Sequence, residues 1–371
     1  MRIIHVTDTS IYNYDGISTY VNELIEVSEK NHDEILVLTT TPHGNDLRDV
    51  TKRNNTNIHA FKCLRFPGKP KFIAVITKGL KKIITDFNPD IIWIHTIGTL
   101  GMQVADFSNQ KYKVVYTKHC FDAELWCSYL NIPKKLQKIF YMSASFFENK
   151  IYRAANLVVY HLNDISKVEK GKFYQKFIHV PPPLNSRYFE NRKKKADIKS
   201  NKLKLGFCGR CDPDKGIANT FQGLEIFQRK YKDVDFEFIL IGDGPEAHRL
   251  KEKYPTIKVT ITGYVDDVVP YLDQLDGFIL SSHQETISLS SLEAYARGVT
   301  IFSVLIGYLS ENSQKLKNFY LFKTPEQLAD LVYNKLVIKN TNSENDSIDK
   351  LNDFVVSYEQ LYKSVINKIS Q

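Results

Sequence analysis

The chain has 371 residues, 43% of them hydrophobic and 25% charged, with a formal net charge of +8. That length suits two ordinary α/β domains, and the balance is that of a globular protein, not a disordered or fibrous one. No apolar run is long enough to span a bilayer. The five cysteines, without framework spacing, argue against a disulfide-stapled fold and for a reducing, cytoplasmic compartment.

The opening "MRIIHVTDTS" has few apolar residues before His5 and Asp8, so it reads as a first strand and not a signal peptide. Short β-branched runs then alternate with amphipathic stretches. Strands are expected at "RIIHVT", "EILVLT", "IIWIH", "KVVYT", "NLVVY" and "FIHV" in the first half. In the second half they are expected at "KLGFC", "FEFILIG", "IKVTIT", "GFIL" and "VTIFSV". Apolar runs without strict polar alternation suit parallel strands buried on both faces. Helices are expected between them, at 18–30, 71–87, 216–231 and 325–337. The alternation predicts an α/β protein of two doubly wound, Rossmann-like sheets. Residues 181–202, "PPPLNSRYFENRKKKADIKSNK", break the pattern with three prolines and a charged run. The expected organisation is therefore a domain over 1–183, a linker over 184–202 and a second domain over 203–350. An amphipathic helix at 351–371 follows the polar stretch "IKNTNSENDSIDK" (338–350). Ligands bind beyond the carboxyl ends of the strands in such sheets, so two of them face to face predict a cleft lined by loops of both.

The excess positive charge lies in apolar company and not in one face or tail, so no nucleic acid is expected. Lys69, Lys71, Lys78, Lys81 and Lys82 punctuate "GKPKFIAVITKGLKKII", which reads as a helix with lysines in water. Lys134, Lys135, Lys138 and Lys150 surround Ile139, Phe140, Tyr141, Phe146 and Phe147. This second cluster fits a packed helix and a peripheral contact with anionic lipid equally well.

Four stretches stand out, three of them for chemistry and one, "ILIGDGPE", mostly as scaffold. In "GFCGRCDPDKG" (206–216) a strand runs into Gly209 and Arg210, and Lys215-Gly216 open the next helix. Glycine permits close backbone approach, a helix N-terminus favours anions, and Arg210 with Lys215 suits a diphosphate. Cys208 and Cys211 have C-x-x-C spacing, but no second pair or histidine pair completes a zinc site, so they read as incidental. Asp212 and Asp214 form a D-x-D, a weak signal for a metal beside phosphate. "ILIGDGPE" (239–246) is a strand, a glycine turn at Gly242 and Gly244, and a helix opened by Pro245. After Gly263, the backbone at Tyr264 and Val265 is placed to read the edge of a base. In "ETISLSSLEAYARG" (285–298), Glu285 and Glu293 are eight positions apart. On one helix that is about 12 Å at about 1.5 Å per residue, too far to share a proton and a suitable span for one extended ligand. Glu285 at the strand end, the amides of Ser288 and Leu289 at a helix N-terminus, and Glu293 facing vicinal hydroxyls would suit a sugar, a diphosphate and a ribose. The plainer alternative makes Ser288 or Ser290 the helix cap, with Glu293 completing a capping box on Ser290.

The order of these pieces resembles the GT-B glycosyltransferases of family 4. That family shows a G-R-x-x-x-x-K-G loop, a G-x-G-P-E turn and an E-x7-E before a helix; residues 203–337 carry most of the resemblance. More loosely, "DTSIYNYDGISTYVNELIE" is similar to its first glycine loop and helix, with Gly16 near the acceptor and among the binding residues. "PDIIWIHTIG" resembles the strand ending in His95, and "VVYTKHCFD" the strand ending in His119. The last helix resembles the one that crosses back onto the first domain.

The resemblance implies that Arg210 and Lys215 neutralise a leaving diphosphate, while Gly209 gives the loop its close approach. It implies that Glu285 holds the donor sugar, Ser288 and Leu289 amides lie near sugar and phosphate, and Glu293 holds the ribose. His119 lines the sugar pocket, and Tyr264 and Val265 flank the base. It further implies a retaining transferase that needs no metal or other cofactor. Its donor would be a nucleotide-sugar, by default a UDP-sugar, and its acceptor a glycan or a lipid-linked glycan. The setting would be surface polysaccharide assembly at the cytoplasmic face of the cell membrane. The alternatives are a non-catalytic GT-B partner subunit, a nucleotide-sugar-binding protein, and a metal-dependent transferase built on Asp212 and Asp214. Departures from the family pattern are Asp15 before Gly16, Glu285-Thr286-Ile287-Ser288-Leu289 in place of E-G-F-G-L, "PPPLN" before the linker, and Tyr308 in the G-G-x-x-E loop, here Gly307–Glu311.

Overall fold

The computed structural model describes residues 1–42, 55–65, 72–75, 77–108, 111–119, 134–162, 173–191, 202–338 and 351–371. Lys69, Lys71, residues 192–201 of the expected linker and residues 339–350 of the polar stretch lie outside the described residues, as do the side chains of Lys134, Lys135, Ile139, Phe140 and Tyr141. The chain divides into two compact units, Met1–Pro183 with Val356–Gln371, and Leu184–Val355.

The first unit holds strands β1 (Arg2–Val6), β2 (Glu34–Thr40), β3 (Thr56–Phe61), β4 (Cys63–Arg65), β5 (Phe72–Val75), β6 (Ile91–Ile94), β7 (Lys113–Lys118), β8 (Leu157–Tyr160) and β9 (Phe177–His179). Seven of them form one parallel sheet in the order β3-β2-β1-β6-β7-β8-β9. The β-branched runs lie at its centre: Ile3, Ile4, Val6, Ile92, Ile94, Val114 and Val158 are fully buried. Strand order reverses between β1 and β6, the place where such sheets open at their carboxyl ends. β4 and β5 pair antiparallel outside the sheet. β5 corrects the expectation of one helix over 71–87, since only Leu80–Phe87 is helical.

The first helix, Gly16–Lys30, starts two residues earlier than periodicity suggests. Asp15 is its N-cap and accepts from the Ser18 amide at 2.9 Å. The aspartate before Gly16 therefore has a local structural role. The C-terminal helix, Tyr358–Ser370, opens with a capping box between Ser357 and Gln360. It packs within the first unit: Tyr358 meets the ring of Tyr20, the Tyr362 hydroxyl bonds Asp33, and Lys113 reaches the carbonyl of Ile369 at 3.0 Å.

The second unit holds β10 (Leu203–Cys208), β11 (Phe236–Ile241), β12 (Val259–Ile261), β13 (Gly277–Leu280), β14 (Thr300–Ser303) and β15 (Phe319–Leu321). They form one parallel sheet in the order β12-β11-β10-β13-β14-β15, with reversal between β10 and β13. Helices Ile217–Lys230, Pro245–Lys253, Leu289–Ala296 and Pro325–Val332 cover it. Beyond Val332 the expected last turns of 325–337 become a π-helical turn over Tyr333–Ile338. The two doubly wound sheets are the architecture that the strand–helix alternation predicts. β3 and β15, one at an edge of each sheet, were not among the expected strands.

Candidate functional site

The loops that follow β10 and β13 flank the reversal point of the second sheet. They are packed backbone against backbone, and that packing demands glycine. Gly216 has φ +60°, and a Cβ there would lie 2.0 Å from the Ser281 carbonyl oxygen. Gly242 and Gly244 likewise have positive φ and approach Gly209 and Cys211. Backbone bonds tie the loops together: the Cys211 amide donates to Asp243 at 2.8 Å, and the His283 amide to Asp214 at 2.9 Å.

On this frame stand the charges. Lys215 Nζ donates to Glu285 Oε1 at 2.7 Å, and Ser282 Oγ donates to the same oxygen at 3.0 Å. Both ends of the ion pair are largely enclosed, with side chains 20% and 15% exposed. Burial alone would lower the Lys215 pKa, but the nearby carboxylates of Glu285 and Asp214 outweigh it and hold it above the ordinary lysine range. Arg210 pairs with Asp212 in the same loop. Arg210 and Lys215 thus stand as a pair of cations, each held by an acid.

The helix Leu289–Ala296 begins at Ser288, whose backbone is left-handed at φ +52° and whose side chain caps nothing. Its Oγ is buried without a hydrogen-bond partner. The amides of Leu289 and Ser290, first in the helix, have no intrahelical acceptor by geometry. The capping-box alternative for Glu293 is therefore not the one the chain adopts. The helix starts at Leu289 with no side-chain cap, and Glu293 lies inside it, 8% exposed. Tyr264 and Val265 follow Gly263, which bridges Gly242. The Tyr264 hydroxyl donates to the Asp243 carbonyl at 3.2 Å, and burial pushes its pKa up to about 12. Tyr308, the bulky departure in the Gly307–Glu311 stretch, is 2% exposed and belongs to the interior, while its amide donates to the Thr286 carbonyl at 2.7 Å.

Cys208 and Cys211 are buried and reduced. Burial raises both thiols, Cys211 to about 12, so neither is a thiolate at neutral pH. Asp212 is engaged by Arg210. Among the described residues, no group of three or more His, Cys, Asp or Glu is placed to hold a metal ion.

The second unit thus brings together Gly209, Arg210, Lys215, Glu285, Ser288, Leu289 and Glu293, with Tyr264 and Val265 on the neighbouring loop. Gly16 and His119 belong to the first unit. Gly16 opens the first helix, where a Cβ would meet nothing within 4 Å. Four residues on, that helix carries Tyr20, whose ring lies edge-on to His119 at 4.4 Å.

Sequence reasoning missed what surrounds His119. His5, His95, His119 and His161 come from β1 and from the ends of β6, β7 and β8, and all are buried. His5 Nδ1 lies 3.1 Å from His95 Nε2, and the Tyr20 hydroxyl lies 3.1 Å from His161 Nε2. The other ring nitrogen of His161 is 2.8 Å from the Val180 carbonyl and must donate to it, so Nε2 accepts from Tyr20. Burial lowers the pKa of His119 to about 3 and of His161 to about 4, and that of His95 well below the ordinary value. These rings are neutral hydrogen-bonding groups. The signal was present: five strand runs of the first half each hold a histidine at or next to their carboxyl end, and four of these supply the row.

Residues 202–336 match the family model of the glycosyl transferases group 1, and residues 14–166 match that of glycosyltransferase family 4. The chain is 24% identical to a 41.2 kDa protein of the cps region of Klebsiella pneumoniae, over 98% of this chain and 100% of that one. It is 24% identical to the UDP-Gal:alpha-D-GlcNAc-diphosphoundecaprenol alpha-1,3-galactosyltransferase of Escherichia coli, over 65% of this chain and 63% of that one. Anabaena HepE, whose crystal structure holds UDP and glucose, superposes with a TM-score of 0.74 at 14% identity over 100% of both chains, a likeness of fold.

Proposed function

We propose, for a chain that belongs to the glycosyltransferases of family 4 (glycosyl transferases group 1) and has their GT-B fold, a retaining, metal-independent transfer of a sugar from a nucleoside-diphosphate donor. The acceptor on this reading is a glycan or a lipid-linked glycan in surface polysaccharide assembly. The observation that carries the reading is the enclosed Lys215–Glu285 pair beside Arg210 at the reversal point of the second sheet.

Each charge in that group has a ligand it would serve. A diphosphate takes over Lys215 and Arg210 from Glu285 and Asp212. Glu285, released, accepts hydrogen bonds from hydroxyls of the donor sugar. The first amides of the helix after Ser288 add donors and the positive end of a helix dipole. Glu293 accepts from the ribose diol, and the backbone at Tyr264 and Val265 meets the base. In the reaction the acceptor oxygen bonds the anomeric carbon as the bond from that carbon to the phosphate oxygen breaks. The acceptor proton passes to the departing diphosphate on the same face. Negative charge grows on the leaving group, and the preformed cations and amides stabilise it there. His119, in the first unit, is neutral at working pH and on this reading offers its ring as a hydrogen-bonding group to a sugar hydroxyl.

Uridine is the proposed base. HepE is recorded with UDP and the Escherichia coli relative is named for UDP-Gal. The Klebsiella relative's cps region and the other's diphosphoundecaprenol acceptor support the polysaccharide setting. No described helix is long and apolar enough to cross a membrane. The enzyme is proposed to work in the cytoplasm and to touch the membrane peripherally, where a lipid-linked acceptor like that named for the Escherichia coli relative would lie.

The test is nucleotide binding followed by turnover, with chelator present throughout. UDP at a hundred times its dissociation constant should stabilise the protein by about 2.7 kcal/mol. Arg210→Ala and Lys215→Ala should each lower transfer on the order of a hundredfold or more while the melting transition persists. Full turnover in both variants would sink the phosphate assignment. Binding without transfer to any acceptor would favour a nucleotide-sugar-binding protein.

A further inference from the structure

We infer that Tyr188, held by Arg187, is a positioning residue that sets the Glu293 carboxylate for the ribose of the donor. The inference rests on the reading of Glu293 given above.

Glu293 is 8% exposed inside its helix, and a buried carboxylate needs donors. One comes from outside every motif of the sequence: the Tyr188 side chain hydrogen-bonds Glu293. Tyr188 is itself 2% exposed. Arg187 Nη2 donates to the Tyr188 hydroxyl at 3.0 Å, and its guanidinium lies 5.0 Å from the centre of the tyrosine ring. Arginine can only donate, so the phenol accepts from Arg187 and its own proton points to the carboxylate. The result is a polarised chain, guanidinium to phenol to carboxylate, in which each bond strengthens the next.

The backbone that carries Tyr188 is fastened to the same helix. Arg297, one turn beyond Glu293, is buried and bonded through Nε and Nη2 to Asp273 at 2.7 and 2.9 Å. It donates to the carbonyls of Tyr188 at 3.4 Å, Glu190 at 2.6 Å and Asn191 at 3.4 Å. Asn185 closes the other end, accepting from the Arg187 amide at 3.0 Å. Residues four apart on one helix face thus grip one segment twice, Arg297 by its carbonyls and Glu293 by its phenol. The phenol occupies one acceptor direction of the carboxylate. A carboxylate has about four, so both hydroxyls of a vicinal diol can still be accepted, in an orientation that Tyr188 holds fixed.

The test compares UDP, GDP and ADP, each beside its dideoxyribose form without the diol, by calorimetry on the full chain. Tyr188→Phe keeps the ring and removes only the hydroxyl, so its melting temperature should barely move. It should weaken the ribonucleotide that binds roughly tenfold, the scale of one hydrogen bond to a charged group, and leave the dideoxy form unchanged. Arg187→Gln should act in the same direction and less strongly. Glu293→Gln should cost less in the Tyr188→Phe background than alone. Equal weakening of both nucleotide forms would mark Tyr188 as merely structural and overturn the inference. So would a wild-type preference for the ribonucleotide that survives intact in Tyr188→Phe. A wild-type protein that binds both forms equally would overturn the ribose reading of Glu293, and the inference with it.

Discussion

Ser288 holds a backbone conformation that a side chain opposes. Its φ of +52° lies in the left-handed region, where a Cβ costs roughly 1 kcal/mol or more relative to glycine. Its hydroxyl, buried and unpartnered, returns nothing to folding. The resembled family has glycine at this place, in E-G-F-G-L. Read as letters, the serine is a departure from that motif. Read as backbone, it is a strained residue at the start of the helix that points its first amides, which is where strain tends to accompany function. Ser288→Gly should therefore keep or raise stability by up to about 1 kcal/mol in urea melts. Ser288→Val should destabilise clearly, since a β-branched residue at positive φ is a genuine outlier. If Ser288→Gly unfolds more easily than the parent, the hydroxyl has a structural partner and the strain argument fails. A gain in stability with a loss of sugar binding would assign the hydroxyl to the ligand.

At the scale of elements, the buried centre of each sheet was legible, and so was one edge of each, β9 and β12; the opposite edges, β3 and β15, were not. β6 and β13 are buried throughout and read as unbroken apolar runs, and β1 and β10 are mostly buried, their runs broken by Arg2, His5 and Lys204. β3, "TNIHAF", has one buried residue out of six and no such run. β15 has only three residues. The lysine-studded segment 71–87 looked like one helix because β5, four apolar residues, carries no periodicity of its own. The motif loops were legible because glycine, charge and helix starts coincide in the sequence. Tyr188 was not, because its partner lies far along the chain and no spacing links them. One element keeps the ambiguity it had as sequence. Helix Lys134–Ala154 leaves Met142 and Phe146 two-thirds exposed and Phe147 41% exposed, with Lys138 also on the surface. Lys138, Met142 and Phe146 follow at intervals of four, so they share a face. The paired variant Met142→Ser, Phe146→Ser should weaken binding to phosphatidylglycerol vesicles at low salt by on the order of a hundredfold, taking about 1.5 kcal/mol for each inserted side chain. If the parent protein ignores such vesicles, the exposed face has no lipid role.

For the molecule as a whole, the buried histidine row of the first unit makes stability depend on acid. His161 and His119 are held neutral to about pH 4 and about pH 3 in the folded state, and burial holds His95 well below its ordinary value. In the unfolded chain each returns to the ordinary value near 6.5. Below that pH the unfolded state binds more protons than the folded one, so stability present above pH 6.5 is lost as pH falls toward 4. Each such histidine contributes a slope of about 1.4 kcal/mol per pH unit, and three together about 4. Asp8 works in the opposite sense. Burial raises its carboxyl to about 6, although it accepts from the Leu100 and Gly101 amides and the Thr96 hydroxyl. The folded state therefore binds its proton first, and Asp8 adds stability as pH falls from 6 toward its ordinary value near 4. Three groups losing against one gaining leaves a net loss of roughly 3 kcal/mol per pH unit between those limits. The melting temperature should be level above pH 7 and drop steeply between pH 6 and pH 4. His161→Gln should flatten that drop by about one titrating group, while lowering stability at neutral pH through the weakened bonds to Tyr20 and Val180. A melting temperature that stays level down to pH 5 would mean that the row takes up protons without unfolding, and that solvent or a counter-charge reaches it in the native state.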